Sequence, residues 1–120
     1  MKIYVKTKKL QKQCTEARGM VKEFGLKMSG KLQQRLMEMN AADSLQDLSH
    51  LPPVRCHELQ NRGRVFSVDL EHPYRLLFIP AHESISLKED GGIDHQQVTE
   101  IEVIAIEDTH DVKNQRRGSR

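Results

Sequence analysis

The chain has 120 residues, of which 37% are hydrophobic and 30% charged, with no tryptophan and a formal net charge of +2. That length makes one domain with a modest core under a charged surface. The longest unbroken apolar runs, Leu76 to Ile79 and Val103 to Ile106, hold four residues, where a membrane-spanning helix needs about 20.

The first fourteen residues place lysines where a signal peptide needs an apolar stretch. Cys14 and Cys56 make neither a disulfide framework nor a zinc set. A soluble, cytoplasmic protein without membrane contact is expected. The charge is lopsided: residues 1–64 carry 13 Lys/Arg against 6 Asp/Glu, and residues 65–120 carry 6 against 11. Such opposition suits a polyanion or an oppositely patterned protein, and equally a plain solvated surface.

Along the chain, Ile3 and Val5 alternate with polar residues, which predicts a strand over Lys2 to Val5. Thr7 is a helix cap. Leu10, Cys14, Ala17, Val21 and Phe24 then share one helical stripe, with Lys8, Lys9, Lys12, Arg18 and Lys22 mostly off it. Gly25 fits the left-handed residue after a helix. A second helix over Lys27 to Asn40 turns Met28, Leu32, Leu36 and Met39 inward, completing an αα-hairpin. Ser44 to Leu51 reads as a short helical turn that Pro52-Pro53 ends.

Beyond Pro53 the period becomes 2. Val54 to Leu59, Val65 to Leu70 and Tyr74 to Ile79 read as strands of a β-meander, parted by Asn61-Arg62-Gly63 and Glu71-His72-Pro73. Ala81 to Gln97 reads as a polar surface excursion. Val98 to Glu107, apolar on both faces near its end, reads as an interior strand. The fold class is therefore α+β: a small, mainly antiparallel sheet with the N-terminal αα-hairpin on one face. Residues 1–112 form the domain and 113–120 a basic tail.

If Phe66, Val68, Leu76 and Phe78 face the helices, Ser67, Asp69 and Arg75 face away, and so do Arg55 and His57, with Cys56 inward. A sheet face free of helices that gathers Arg55, His57 and Arg75 is the place to look for function. His110, just past the last strand, is a second histidine within reach of it. Cleavage of RNA through its own 2′-hydroxyl needs a base, an acid and cations for the phosphate. Imidazole, titrating near neutrality, serves as either. Two histidines with one or two arginines meet that list without metal or cofactor. Equally, a strand histidine serves as a half-buried hydrogen-bonding residue, and Arg75 as an ion-pair partner of Asp69 or Glu58. His72, His82 and His95 with Glu89, Asp90 and Asp94 have no recognised metal spacing, and both cysteines read as small core residues.

The runs Leu51-Pro52-Pro53-Val54-Arg55-Cys56-His57-Glu58-Leu59, Arg64 to Leu70, Pro73-Tyr74-Arg75-Leu76-Leu77-Phe78 and Ile104-Ala105-Ile106-Glu107-Asp108-Thr109-His110 together resemble the HigB branch of the RelE/ParE toxin superfamily. The resemblance implies a RelE-like, microbial-RNase type of fold and a type II toxin–antitoxin module. It also implies a ribosome-dependent mRNA endonuclease that acts in the ribosomal A site without metal, and a helix-turn-helix antitoxin of the HigA type as partner. The family's strand histidine falls on His57, its strand arginine on Arg75 and its C-terminal histidine on His110. Two positions depart from that pattern: Gln60 stands where a lysine is expected and Thr109 where a tyrosine is expected. Arg62 or Arg64 would replace the lysine's charge. Lys8, Lys9, Lys12 and Arg55 complete the expected RNA contacts. Two alternatives stay open: a non-catalytic gyrase-binding toxin of the ParE type, and a catalytically weakened relative kept for antitoxin binding and autoregulation.

Overall fold

Five strands lie in one sheet: β1 (Lys2–Val5), β2 (His57–Glu58), β3 (Phe66–Asp69), β4 (Tyr74–Pro80) and β5 (Glu100–Asp108), in the order β1-β5-β4-β3-β2. The computed structural model describes residues 1–109, so His110 and the 113–120 tail lie outside the described residues. The chain is α+β. β2, β3, β4 and β5 pair antiparallel in sequence order, while β1 pairs parallel with β5, Ile3 opposite Ile101. β5 is thus an interior strand, as its two-sided apolar end implies.

The helices are α1 (Lys8–Thr15), α2 (Ala17–Phe24), α3 (Leu26–Ala41) and α4 (Leu45–Ser49). Thr7 caps α1, its hydroxyl accepting from the Leu10 N–H at 3.1 Å. The single helix expected up to Phe24 is in fact two. Glu16 takes extended angles (φ −104°, ψ 93°), and its N–H closes α1 on the Lys12 carbonyl while its own carbonyl opens α2. That one residue resets the helical phase. Met20 enters the core, whereas Ala17 and Val21, expected inward, are exposed. Gly25, at φ 88°, joins α2 to α3 in a conformation that a side chain disfavours.

One core lies between the helices and one sheet face. Leu10, Met20, Met28, Leu32, Met39, Leu45 and Leu48 pack with Phe66, Val68, Leu76, Phe78, Ile101 and Val103. The Phe66 and Phe78 rings stack across β3 and β4, with centroids 5.8 Å apart. The 81–97 segment is more than a surface excursion: Ile93 is buried in the core and bridges back to Leu87. Among the described residues no helix is long and apolar enough to cross a membrane.

On α3 the buried stripe is Met28, Leu32, Arg35 and Met39; Arg35 takes the place expected of Leu36, which is only half-buried. Arg35 is 3% exposed. Its Nε donates to the Asp69 carbonyl and its Nη2 to the Pro53 carbonyl, both at 2.7 Å, and its Nη1 meets Glu38 Oε1 at 2.6 Å. A buried guanidinium is tolerable only when its donors are met in this way. Arg35→Met keeps an unbranched apolar stem but removes the donors to two carbonyls and a carboxylate, at a cost of about 3 kcal/mol. Urea unfolding should show that loss as a lower midpoint at unchanged slope.

Candidate active site

The face turned away from the helices carries the residues singled out from strand parity. His57 lies opposite Ser67, Asp69 opposite Arg75, and Arg75 opposite Glu107. The strand expected over Val54 to Leu59 is shorter. Pro52–Val54 forms a 3₁₀ turn, and Arg55 leaves it in the left-handed region (φ 50°), so pairing begins only at His57. This face is not bare, since Ser67 and Leu77 are buried although neither joins the helix-side core.

His57 Nδ1 lies 3.0 Å from the Arg55 carbonyl. A carbonyl only accepts, so in the neutral ring Nδ1 carries the proton and Nε2 the lone pair. Ser67 Oγ, at 3.4 Å, is the hydroxyl facing that Nε2. Ser67 is fully buried and orients the ring, while His57 itself is exposed. The imidazole is thus held in the tautomer a general base requires, with a long bond that a substrate hydroxyl can replace.

The arginines are organised around Glu107. Arg75 Nε donates to Glu107 Oε1 at 2.9 Å, and Arg75 Nη2 donates to the same oxygen. Arg62 Nη1 donates to Glu107 Oε2 at 2.7 Å. Arg62 belongs to the turn between β2 and β3, where Asn61, Gly63 and Arg64 all have positive φ; the coiled turn folds back over the sheet to bring its guanidinium there. Arg75 therefore pairs with Glu107, and Asp69 instead meets Arg55 Nε at 3.3 Å. With Arg55 mostly exposed, that outer pair contributes little. Burial raises the Glu107 carboxyl's pKa, but the hydrogen bonds and charges of Arg62 and Arg75 outweigh it and hold the group below its usual range.

Glu107 was not among the residues expected on this face. Strict alternation from Ile101 and Val103 turns Ala105 and Glu107 toward the core. The register shifts where Leu77 meets Ala105 and Phe78 meets Val103, leaving Ile104 as the extra residue of a β-bulge. Beyond it, Ile106 packs against the core and Glu107 points to the opposite face beside Arg75. The sequence signal for the bulge is the run Val103-Ile104-Ala105-Ile106, apolar at both parities.

His57 and Arg75 stand two strands and two residues apart, about 12 Å between Cα atoms at ordinary sheet spacings. Thr109 anchors the end of β5 beside β4, its N–H and Oγ both donating to the Pro73 carbonyl at 3.1 and 3.0 Å. His110, the second expected histidine, lies outside the described residues. Arg64 is exposed in the turn. Lys8, Lys9 and Lys12 are exposed on α1 and line an open cleft of about 490 Å³ with Glu16, Gly19 and Glu23; they belong to the helix layer and are not gathered with His57 and Arg75.

Both cysteines are half-buried, and burial pushes each thiol up to about 11, which leaves them protonated and poorly nucleophilic at neutral pH. Among the described residues no three His, Cys, Asp or Glu side chains converge as a metal site would require. His82 Nε2 instead accepts from the Thr99 and Glu100 N–H groups at 3.0 and 3.3 Å, linking the strand ends. No protein-family model, curated protein or solved structure matches the chain.

The lowered Glu107 pKa fixes a sign. A carboxylate stabilised by the fold adds stability above its ordinary pKa and loses it as pH falls through the lowered value. The groups facing it are Arg62 and Arg75, with Asp69 and Arg55 in the next pair. Unfolding free energies measured from about pH 6 to pH 3 should fall more steeply for the wild type than for Glu107→Gln. Parallel curves would show that the ion triad adds nothing.

Proposed function

We propose that the protein is a RelE-like toxin of the HigB type, a ribosome-dependent mRNA endonuclease of a type II toxin–antitoxin module. The observation that carries this reading is the sheet face on which His57 presents an Nε2 lone pair and Arg62 and Arg75 lie side by side. A base and two adjacent guanidiniums are what cleavage through a 2′-hydroxyl asks of a protein.

In this mechanism His57 Nε2 takes the 2′-hydroxyl proton. The 2′-oxygen attacks phosphorus, and the P–O5′ bond breaks. Arg75 and Arg62 stabilise the charge that gathers on the non-bridging oxygens, and His110 returns a proton to the 5′-oxygen. The products are a 2′,3′-cyclic phosphate and a 5′-hydroxyl, with no oxidant or reductant consumed. Arg62 supplies the cation that the expected lysine, replaced by Gln60, would have given. Lys8, Lys9, Lys12 and the basic tail grip ribosomal RNA, where salt weakens them. A helix-turn-helix antitoxin of the HigA type neutralises the toxin in the cytoplasm.

Primer extension on a message translated in a reconstituted system tests this. Cuts at A-site codons should appear with wild type and only during translation. His57→Ala and His110→Ala should each lower cleavage by about 100-fold or more while circular dichroism stays native. Undiminished cutting by His57→Ala would remove the base assignment. An intact message with folded wild-type protein would move the reading to gyrase binding or to a partner kept for autoregulation.

A further inference from the structure

We infer that Glu107 occupies the phosphodiester site of this face: it is a built-in anion that RNA must displace from between Arg62 and Arg75. The inference rests on the reading of the face as an RNA surface and adds its regulation. A carboxylate spreads one negative charge over two oxygens, as does a phosphodiester over its two non-bridging oxygens. Glu107 gives one oxygen to each arginine, Oε1 to Arg75 and Oε2 to Arg62, which is the arrangement a bridging phosphodiester would adopt.

Three further features fit a competitor better than a mere tie between turn and sheet. The Ile104 bulge is what turns Glu107 onto this face, and bulges concentrate where a side chain must be re-aimed. The arginines stay within reach of solvent, with side chains 30% and 21% exposed for Arg62 and Arg75, so an incoming anion meets them without unfolding the sheet. Finally, the rest of the face repeats the pattern more weakly, Asp69 partly neutralising Arg55 at 3.3 Å. The free protein therefore presents a face whose cations are largely satisfied, and it binds isolated RNA weakly. A ligand held in place by other contacts, as a message on the ribosome is, supplies the effective concentration needed to win the exchange.

The test uses the full chain and a 2′-O-methylated dinucleotide, which contains one phosphodiester and cannot be cut through its 2′-oxygen. Titrations are followed by calorimetry and by the ¹⁵N-resolved arginine Nε–H signals. Glu107→Gln, which keeps the side chain's shape, should bind the dinucleotide about tenfold more tightly than wild type or better. The double variant Glu107→Gln/Arg75→Ala should lose that gain. Equal or weaker binding by folded Glu107→Gln overturns the proposal, because a purely structural carboxylate gives no gain on removal. Should Glu107→Gln not fold, the wild type decides: its Arg62 and Arg75 signals must move together with the dinucleotide and stay still with an uncharged methylphosphonate analogue. Still signals with the charged ligand overturn it as well. No ribosome or cleavage enters these measurements, so the anion site can stand while the nuclease reading fails, and the reverse.

Discussion

One buried guanidinium holds the two layers of this protein in register. Arg35 rises from the inward stripe of α3 and spends its donors on the carbonyls of Asp69 and Pro53 and on Glu38. In the low-dielectric space between helix and sheet these bonds are strong, and the same environment makes any unmet partner costly. The two carbonyls are not arbitrary anchor points. Asp69 ends β3 opposite Arg75 and pairs with Arg55, and Pro53 sits in the middle of the 3₁₀ turn from which Arg55 and His57 emerge. The helix layer thereby fixes, from behind, the positions from which the opposite face is built.

That face is organised by charge rather than by apolar packing. Glu107 collects the two arginines that a small sheet would otherwise splay apart, and Arg62 in turn draws the β2–β3 turn over the strands. The result is a shallow surface of satisfied ion pairs around an exposed imidazole. Pairs this close to water contribute modestly to stability.

Much of this was legible in the residues. The period-2 runs marked β1, β3, β4 and β5 to within a residue or two, and parity put His57, Arg55 and Arg75 together. What escaped has specific causes. Nothing in the helix-forming run from Lys8 to Phe24 marks Glu16 as a break, and its extended angles accompany the burial of Met20 in place of Ala17 and Val21. Arg35 is absent from the expected inward stripe of α3 because hydropathy patterns carry no information about which carbonyls await a donor across 18 or 34 positions of chain. Glu107 is not among the expected face residues because alternation is only as good as the register, and one extra residue at Ile104 reverses it. The β2 strand was overextended because the left-handed Arg55 follows from the turn before it, not from its own side chain.

The parallel pairing of β1 with β5 has a consequence for how the protein comes into being. Lys2 to Val5 pair with Glu100 to Val103, so β1 waits without this neighbour while the intervening chain is synthesised. At about 5–20 residues per second that wait is roughly 5–20 s. During it the helices and the β2–β4 meander can form from local contacts, but Arg62 and Arg75 have no Glu107 between them. The nascent chain thus passes through a form in which Arg62 and Arg75 lack their shared partner, until β5 joins the sheet and brings in the carboxylate that pairs with both.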